Sequence, residues 1–116
     1  MEEYRNHTFP AECKILRELM QAPEEIPSTR QVLRAEMFQG SHAREVWKTL
    51  CDSFDAGSAI DVVTLYGRAP EKNWYQDNIL NLTPSCSPMA IHEYAAAIRS
   101  GYDSLKVLEL AERLRV

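Results

Sequence analysis

The chain has 116 residues, 45% of them apolar, and 13 basic against 17 acidic side chains give it a formal charge of −4. That is enough apolar material for one compact core, and the negative charge, with no clustered Lys or Arg, excludes tight phosphate-backbone binding by this chain alone. No apolar run approaches the roughly 20 residues that a bilayer demands, and the polar start at Met1 is no signal-peptide core, so a cytoplasmic domain is predicted.

After a polar tail (1–9), Pro10 suits the first turn of a helix, and Ile15, Leu16, Leu19 and Met20 follow at amphipathic spacing, which predicts a helix over 10–21. Pro23 and Pro27 are expected to break it, with Ser28 capping a short helix through Val32 and Leu33, and Met37 and Phe38 forming an apolar plug. Ala43, Val46, Trp47, Leu50, Cys51 and Phe54 then share one helical face. Gly40 and Ser41 supply its start and N-cap, and Gly57 stands where a left-handed residue would end it.

Residues 60–65 are ambiguous: Val62, Val63 and Thr64 favour a strand, whereas Asp61 is a good N-cap. With no second strand to pair with, helix is the better choice. A polar loop around Pro70 precedes a short helix carrying Trp74, Asn78, Ile79 and Leu82, closed by the proline-flanked run 83–88. From 88 to 116 no further proline intervenes, and Ile91, Ala95, Ile98, Tyr102 and Leu105 form a seam four and three residues apart. Gly101 in that helix costs about 1 kcal/mol relative to alanine and is a place for a bend. The expected fold is all-α, a compact orthogonal bundle of about five to six helices ending in a long C-terminal helix. Its parts are the tail (1–9), a globular helical region (10–87) and the long helix (88–116), which starts a hairpin or linker region of the same domain.

Chemistry is mostly missing. The four glycines are isolated, so no phosphate-cradling loop exists. Cys13, Cys51 and Cys86 are odd in number and lack Cys-x-x-Cys spacing, which predicts free thiols. A metal site from His42, Cys51, Cys86 and His92 is disfavoured because His42 and Cys51 do not converge on their helix. Cys51 is read as a small core residue and Cys86 as a loop thiol with no orienting partner. Glu24, Glu25 and Asp61 are a solvated loop and a cap, not an acid/base pair. No catalytic, metal or cofactor-binding residue is predicted. Trp47 is read as core filler; Trp74 is equally well a filler or an interface anchor.

The ordered apolar pattern resembles the N-terminal domain of DnaB-type replicative helicases. Three segments carry the likeness: Ala11-Glu12 with Ile15-Leu16 and Leu19-Met20; Phe38, Val46-Trp47, Gly57 and the ungapped 60–65; and Pro84-Ser85 with Ile91 and Tyr94-Ala95. The likeness spans about Pro10 to Leu114. Arg17 stands where that family has glycine, Met37 where it has an acidic residue, and Ala43 where it often has histidine, with His42 one place early. The 65–74 connection is also short.

The resemblance implies a helical segment at 60–65 and a role without chemistry of its own: assembly into the collar of a helicase ring, with docking of primase or a helicase loader. ATP and magnesium would belong to a motor domain beyond residue 116. Beyond Leu105, apolar residues spread over most of the helix, as though a partner helix or another subunit covered them. The candidate interaction residues are therefore Tyr102, Leu105, Leu108, Leu110 and Leu114, with Trp74. The competing reading is a free-standing helical adaptor or helicase inhibitor with the same fold; a thiol or metal enzyme comes third.

Overall fold

The computed structural model describes residues 9–84 and 87–114, so Cys86 and all but the last residue of the polar tail lie outside the described residues. Among the described residues six helices follow in order: α1 (Pro10–Gln21), α2 (Ile26–Val32), α3 (Ser41–Asp55), α4 (Val62–Tyr66), α5 (Lys72–Tyr75) and α6 (Pro88–Leu114). Two 3₁₀ turns, Pro23–Glu25 and Ala35–Met37, flank α2, and α5 runs into a π turn at Gln76–Leu80. No strand occurs among the described residues, and 60–65 folds as a loop and a short helix. The expected all-α bundle with a long last helix is what forms.

Helix α1 lies at the centre. Cys13, Ile15, Leu16, Leu19 and Met20 are buried, but so are Glu12, Arg17 and Glu18. A helix buried nearly all round must have neighbours on every side, and α1 packs on α6, α3, α4 and the π turn. Ile91, Ala95 and Ile98, from the first half of α6, complete the same core. The 27-residue α6 is about 40 Å long at 1.5 Å per residue, which stretches the molecule to 49 × 28 × 26 Å. Its second half therefore projects from the body. The helix is continuous through Gly101, where a Cβ would come within 3.3 Å of the Gln39 side-chain nitrogen.

Buried charge organises the approach to α3. The Glu12 carboxylate accepts hydrogen bonds from the backbone N–H groups of Gln39 (2.8 Å) and Gly40 (3.0 Å). Arg44 closes the same turn by donating through Nη2 to the Phe38 carbonyl at 2.7 Å. Burial pushes the Glu12 carboxyl above its ordinary value, against the pull of those two N–H groups and Arg44. Trp47 is buried and stacks on Phe38 with centroids 5.1 Å apart, as a core filler should.

The end of α3 is a Schellman closure. Gly57 has φ +70°, its N–H donates to Phe54, and the Ser58 N–H reaches back to the Ser53 carbonyl. Asp61 then caps α4, its carboxylate accepting from the Val63 and Thr64 N–H groups at 3.0 and 2.8 Å and from the Thr64 hydroxyl at 2.7 Å. That capping offsets the strand preference of Val62 and Val63. Tyr75 locks α4 to α5 from inside the core: its hydroxyl donates to the Val62 carbonyl at 2.6 Å.

The hydrogen bonds hold the Asp61 carboxyl below its usual value. A lowered folded value means that its contribution to stability is present above the unfolded carboxyl value of about 4 and is lost as pH falls through the folded one. Asp61→Ala is expected to melt a few degrees below the parent at pH 7. The gap should narrow as pH falls below the ordinary carboxylate value of about 4, as thermal unfolding followed by circular dichroism will show.

Three local expectations are corrected. Ser28 does not cap α2; the helix starts at Ile26 with Pro27 in its first turn, where proline's fixed φ is suited, and the Ser28 hydroxyl donates to the Glu25 carbonyl at 3.0 Å. Ser41 is the first residue of α3 and makes no side-chain cap, the N-cap position being Gly40. Cys51 is only half-buried, because the buried stripe of α3 runs through Ala43, Val46, Trp47 and Leu50 and leaves Cys51 at its edge near Arg30 and Asp55.

Candidate partner-docking surface

The two halves of α6 present different faces. At about 100° per residue, the seam of Ile91, Ala95, Ile98, Tyr102 and Leu105 points to one side, with its first three members buried and Tyr102 and Leu105 half-buried. Carried onward, that same side bears Lys106, Glu109, Glu112 and Arg113. The later apolar residues Val107, Leu110, Ala111 and Leu114 lie about 150° round the helix from the seam. Val107, Leu108, Leu110 and Leu114 are 66%, 60%, 56% and 78% exposed. The apolar stripe thus switches sides where α6 leaves the core.

On that second side a groove of about 800 Å³ runs along α6 to the end of α2. Val32, Ala96, Ser100, Ser104, Val107 and Leu108 line it, with Arg99 and Asp103 as its polar members. Arg99 fixes the two walls together: Nη1 donates to the Val32 carbonyl at 3.2 Å, and Nε lies 3.5 Å from the Asp103 carboxylate. Small side chains at 96, 100 and 104 let another helix approach closely, and the larger ones at 107 and 108 give it something to bury against.

The predicted interaction residues separate in space. Leu108 lines the groove, and Leu110 and Leu114 continue the exposed stripe beyond it. Tyr102 packs against the core, with the Lys106 ammonium 5.4 Å from its ring centre, and Leu105 ends the core seam. Trp74 is elsewhere, half-buried, its ring 5.3 Å from that of His42. Val32 was not legible as part of this surface, since no local pattern links the end of α2 to a helix more than fifty residues later. Ala96 and Ser100 carried only a weak signal, their four-residue spacing.

The two thiols among the described residues, Cys13 and Cys51, are poorly suited to nucleophilic work. Burial pushes Cys13 up to about 12 and Cys51 up to about 11, keeping both protonated near neutrality. Among the described residues no group of three or more His, Cys, Asp or Glu could hold a metal ion, and no helix is long and apolar enough to cross a membrane.

An all-helical domain with one core, from which a long helix carries a separate apolar face outward, is the class these observations define. The DnaB-like helicase N-terminal domain family model matches residues 4–100, most of the chain, and the chain belongs to that family. Comparison with curated proteins and with solved structures gave no match. The family match covers the core and the first half of α6 and stops at Ser100, so the likeness expected to reach Leu114 is shown only that far. Tyr102, Leu105, Leu108, Leu110 and Leu114 therefore rest on the geometry of this chain.

Proposed function

We propose that the chain works in DNA replication as a non-catalytic, cytoplasmic assembly module. It joins helicase subunits into the collar of a ring and docks primase or a helicase loader there, as part of a primosome. It needs no cofactor of its own; ATP and magnesium belong to the motor it would serve. Membership of the DnaB-like N-terminal family supports the reading. The observation that carries it is the displaced apolar stripe of α6, which no residue of the core covers. On a domain this size, a row of three exposed large apolar residues, Val107, Leu110 and Leu114, with Leu108 on the adjoining groove, marks a protein contact.

Cross-linking tests the reading. In a background with Cys51 and Cys86 changed to Ser, Val107→Cys places a thiol on the stripe and Glu109→Cys places one on the charged side. A short bis-maleimide is expected to join copies of the Val107→Cys protein and leave the Glu109→Cys protein monomeric. Anisotropy titration of the labelled chain with a primase should show saturable binding. Equal cross-linking from both sides, with no primase binding, would favour an adaptor that uses another surface.

A further inference from the structure

One ammonium turns to the backbone for its partners. Lys72, the first residue of α5, donates from Nζ to the carbonyls of Tyr66 at 3.0 Å, Gly67 at 3.2 Å and Ala69 at 3.4 Å. The same Nζ stands 5.3 Å from the centre of the Tyr66 ring, within reach of a cation–π contact. Lys48 and Lys106 differ, each lying near a carboxylate of its own helix at 3.6 and 3.5 Å. Gathering three carbonyl oxygens about one point sets the negative ends of three dipoles against one another, at the C-terminal end of α4, the negative end of that helix. A cation at that point removes the repulsion. An ammonium carries three N–H donors and no acceptor, so its donors match the three oxygens one for one. The link between α4 and α5 is short, and with its carbonyls pinned in this way Ala69 is buried and the Tyr75 hydroxyl reaches the Val62 carbonyl at 2.6 Å.

We propose that the turn at 66–69 is a binding site for a primary ammonium, and that the chain fills it with its own Lys72. The donor set selects the ligand: three neutral carbonyl oxygens suit a single positive charge, whereas calcium asks for about 6–8 oxygens, carboxylates among them. The Tyr66 ring adds a face that a compact cation can use and an anion cannot. Lys72 is an exposed residue, so water reaches the cage, and a cation from solution can take the place of a shortened side chain. The bound charge closes the corner between α4 and α5, ahead of Trp74 and Tyr75. The site shares no residue with the α6 groove and does not depend on the helicase reading.

The parent protein gives the first test. Exchange of the ammonium protons with water, followed by NMR at Nζ, is expected to be slowest at Lys72 among Lys14, Lys48, Lys72 and Lys106. Exchange at Lys72 as fast as at the exposed Lys14 would overturn the cage. Lys72→Ala vacates the site and should lower Tm by about 4–8 °C, with shifts of the Tyr66, Gly67 and Ala69 carbonyl-carbon resonances. Added n-propylammonium chloride should restore most of that Tm and return the three resonances toward their parent positions. Tetramethylammonium chloride at the same ionic strength has the same charge and no N–H, and should do neither. Equal restoration by the two salts would mean screening alone and would overturn the site, and potassium chloride matching propylammonium would overturn the ligand class. Lys72→Arg should recover only part of the lost Tm, because a planar fork cannot meet three oxygens about one point. Should Lys72→Ala fail to fold, ammonium exchange in the parent still decides.

Discussion

Replacing Trp47 with Ala is expected to cost about 3 kcal/mol of stability, the lower end of the range for a buried large aromatic. The side chain is 3% exposed and stacks on Phe38, so truncation removes both a large apolar area and a ring contact. One edge of the indole, however, borders a surface hollow shared with Arg30, Lys48 and Cys51. Water can enter there, and the remaining void is cheaper than a sealed one. At 4–8 °C per kcal/mol for a chain near this size, Tm should fall by about 12–24 °C. Trp47→Phe should recover part of the loss, and Trp74, half-buried against His42, should tolerate Ala better. A Trp47→Ala protein that melts with its parent would mean that α3 does not hold its apolar face against the core.

Local signals of period were mostly legible and those of capping only in part: the Ser28 and Ser41 caps are not made, and Cys51 lies at the edge of its helix face. The apolar faces of α1 and α3, Gly57 as the left-handed closure and Asp61 as a cap all appear as read, because each depends on neighbours along the chain. The ambiguity at Val62 and Val63 was real: Val63 is 69% exposed, so nothing but the Asp61 cap and the Tyr75 contact argues for helix there. What spacing could not show are the long-range polar partners. Glu12 entered only as part of the Ala11-Glu12 likeness, and only the fold brings the N–H groups of Gln39 and Gly40 onto it. Arg17 was noted only as standing where the resembled family has glycine, and the helical period gave no sign that the fold buries it.

The candidate surface shows the same division. Its apolar members on α6 were visible as an excess of Leu and Val, but the switch of sides near Leu105 is apparent only once the buried seam is known. Tyr102 and Leu105 belong to that seam, and the stripe beyond them faces elsewhere. Val32 joins through the Arg99 hydrogen bond to its carbonyl.

Changing Leu108 and Leu110 to Ser is expected to abolish self-association without unfolding the domain. Both side chains are more than half exposed, so the folded monomer loses little. Burying an exposed Leu or Val contributes about 1.5–3 kcal/mol, and Val107, Leu110 and Leu114 of the stripe with Leu108 at the groove wall supply at most about 6–12 kcal/mol. Association costs about 4–15 kcal/mol in lost freedom. The balance gives a weak dimer, micromolar at best. Removing two of the four side chains takes away about 3–6 kcal/mol, a loss of at least a hundredfold in affinity. Sedimentation equilibrium across micromolar to millimolar concentrations tests the account most directly. The parent should pass from monomer to dimer over that range, while the Leu108→Ser, Leu110→Ser protein, with an unchanged circular dichroism spectrum, should stay monomeric throughout. If the doubly substituted protein associates as strongly as its parent, the second half of α6 is not the docking surface.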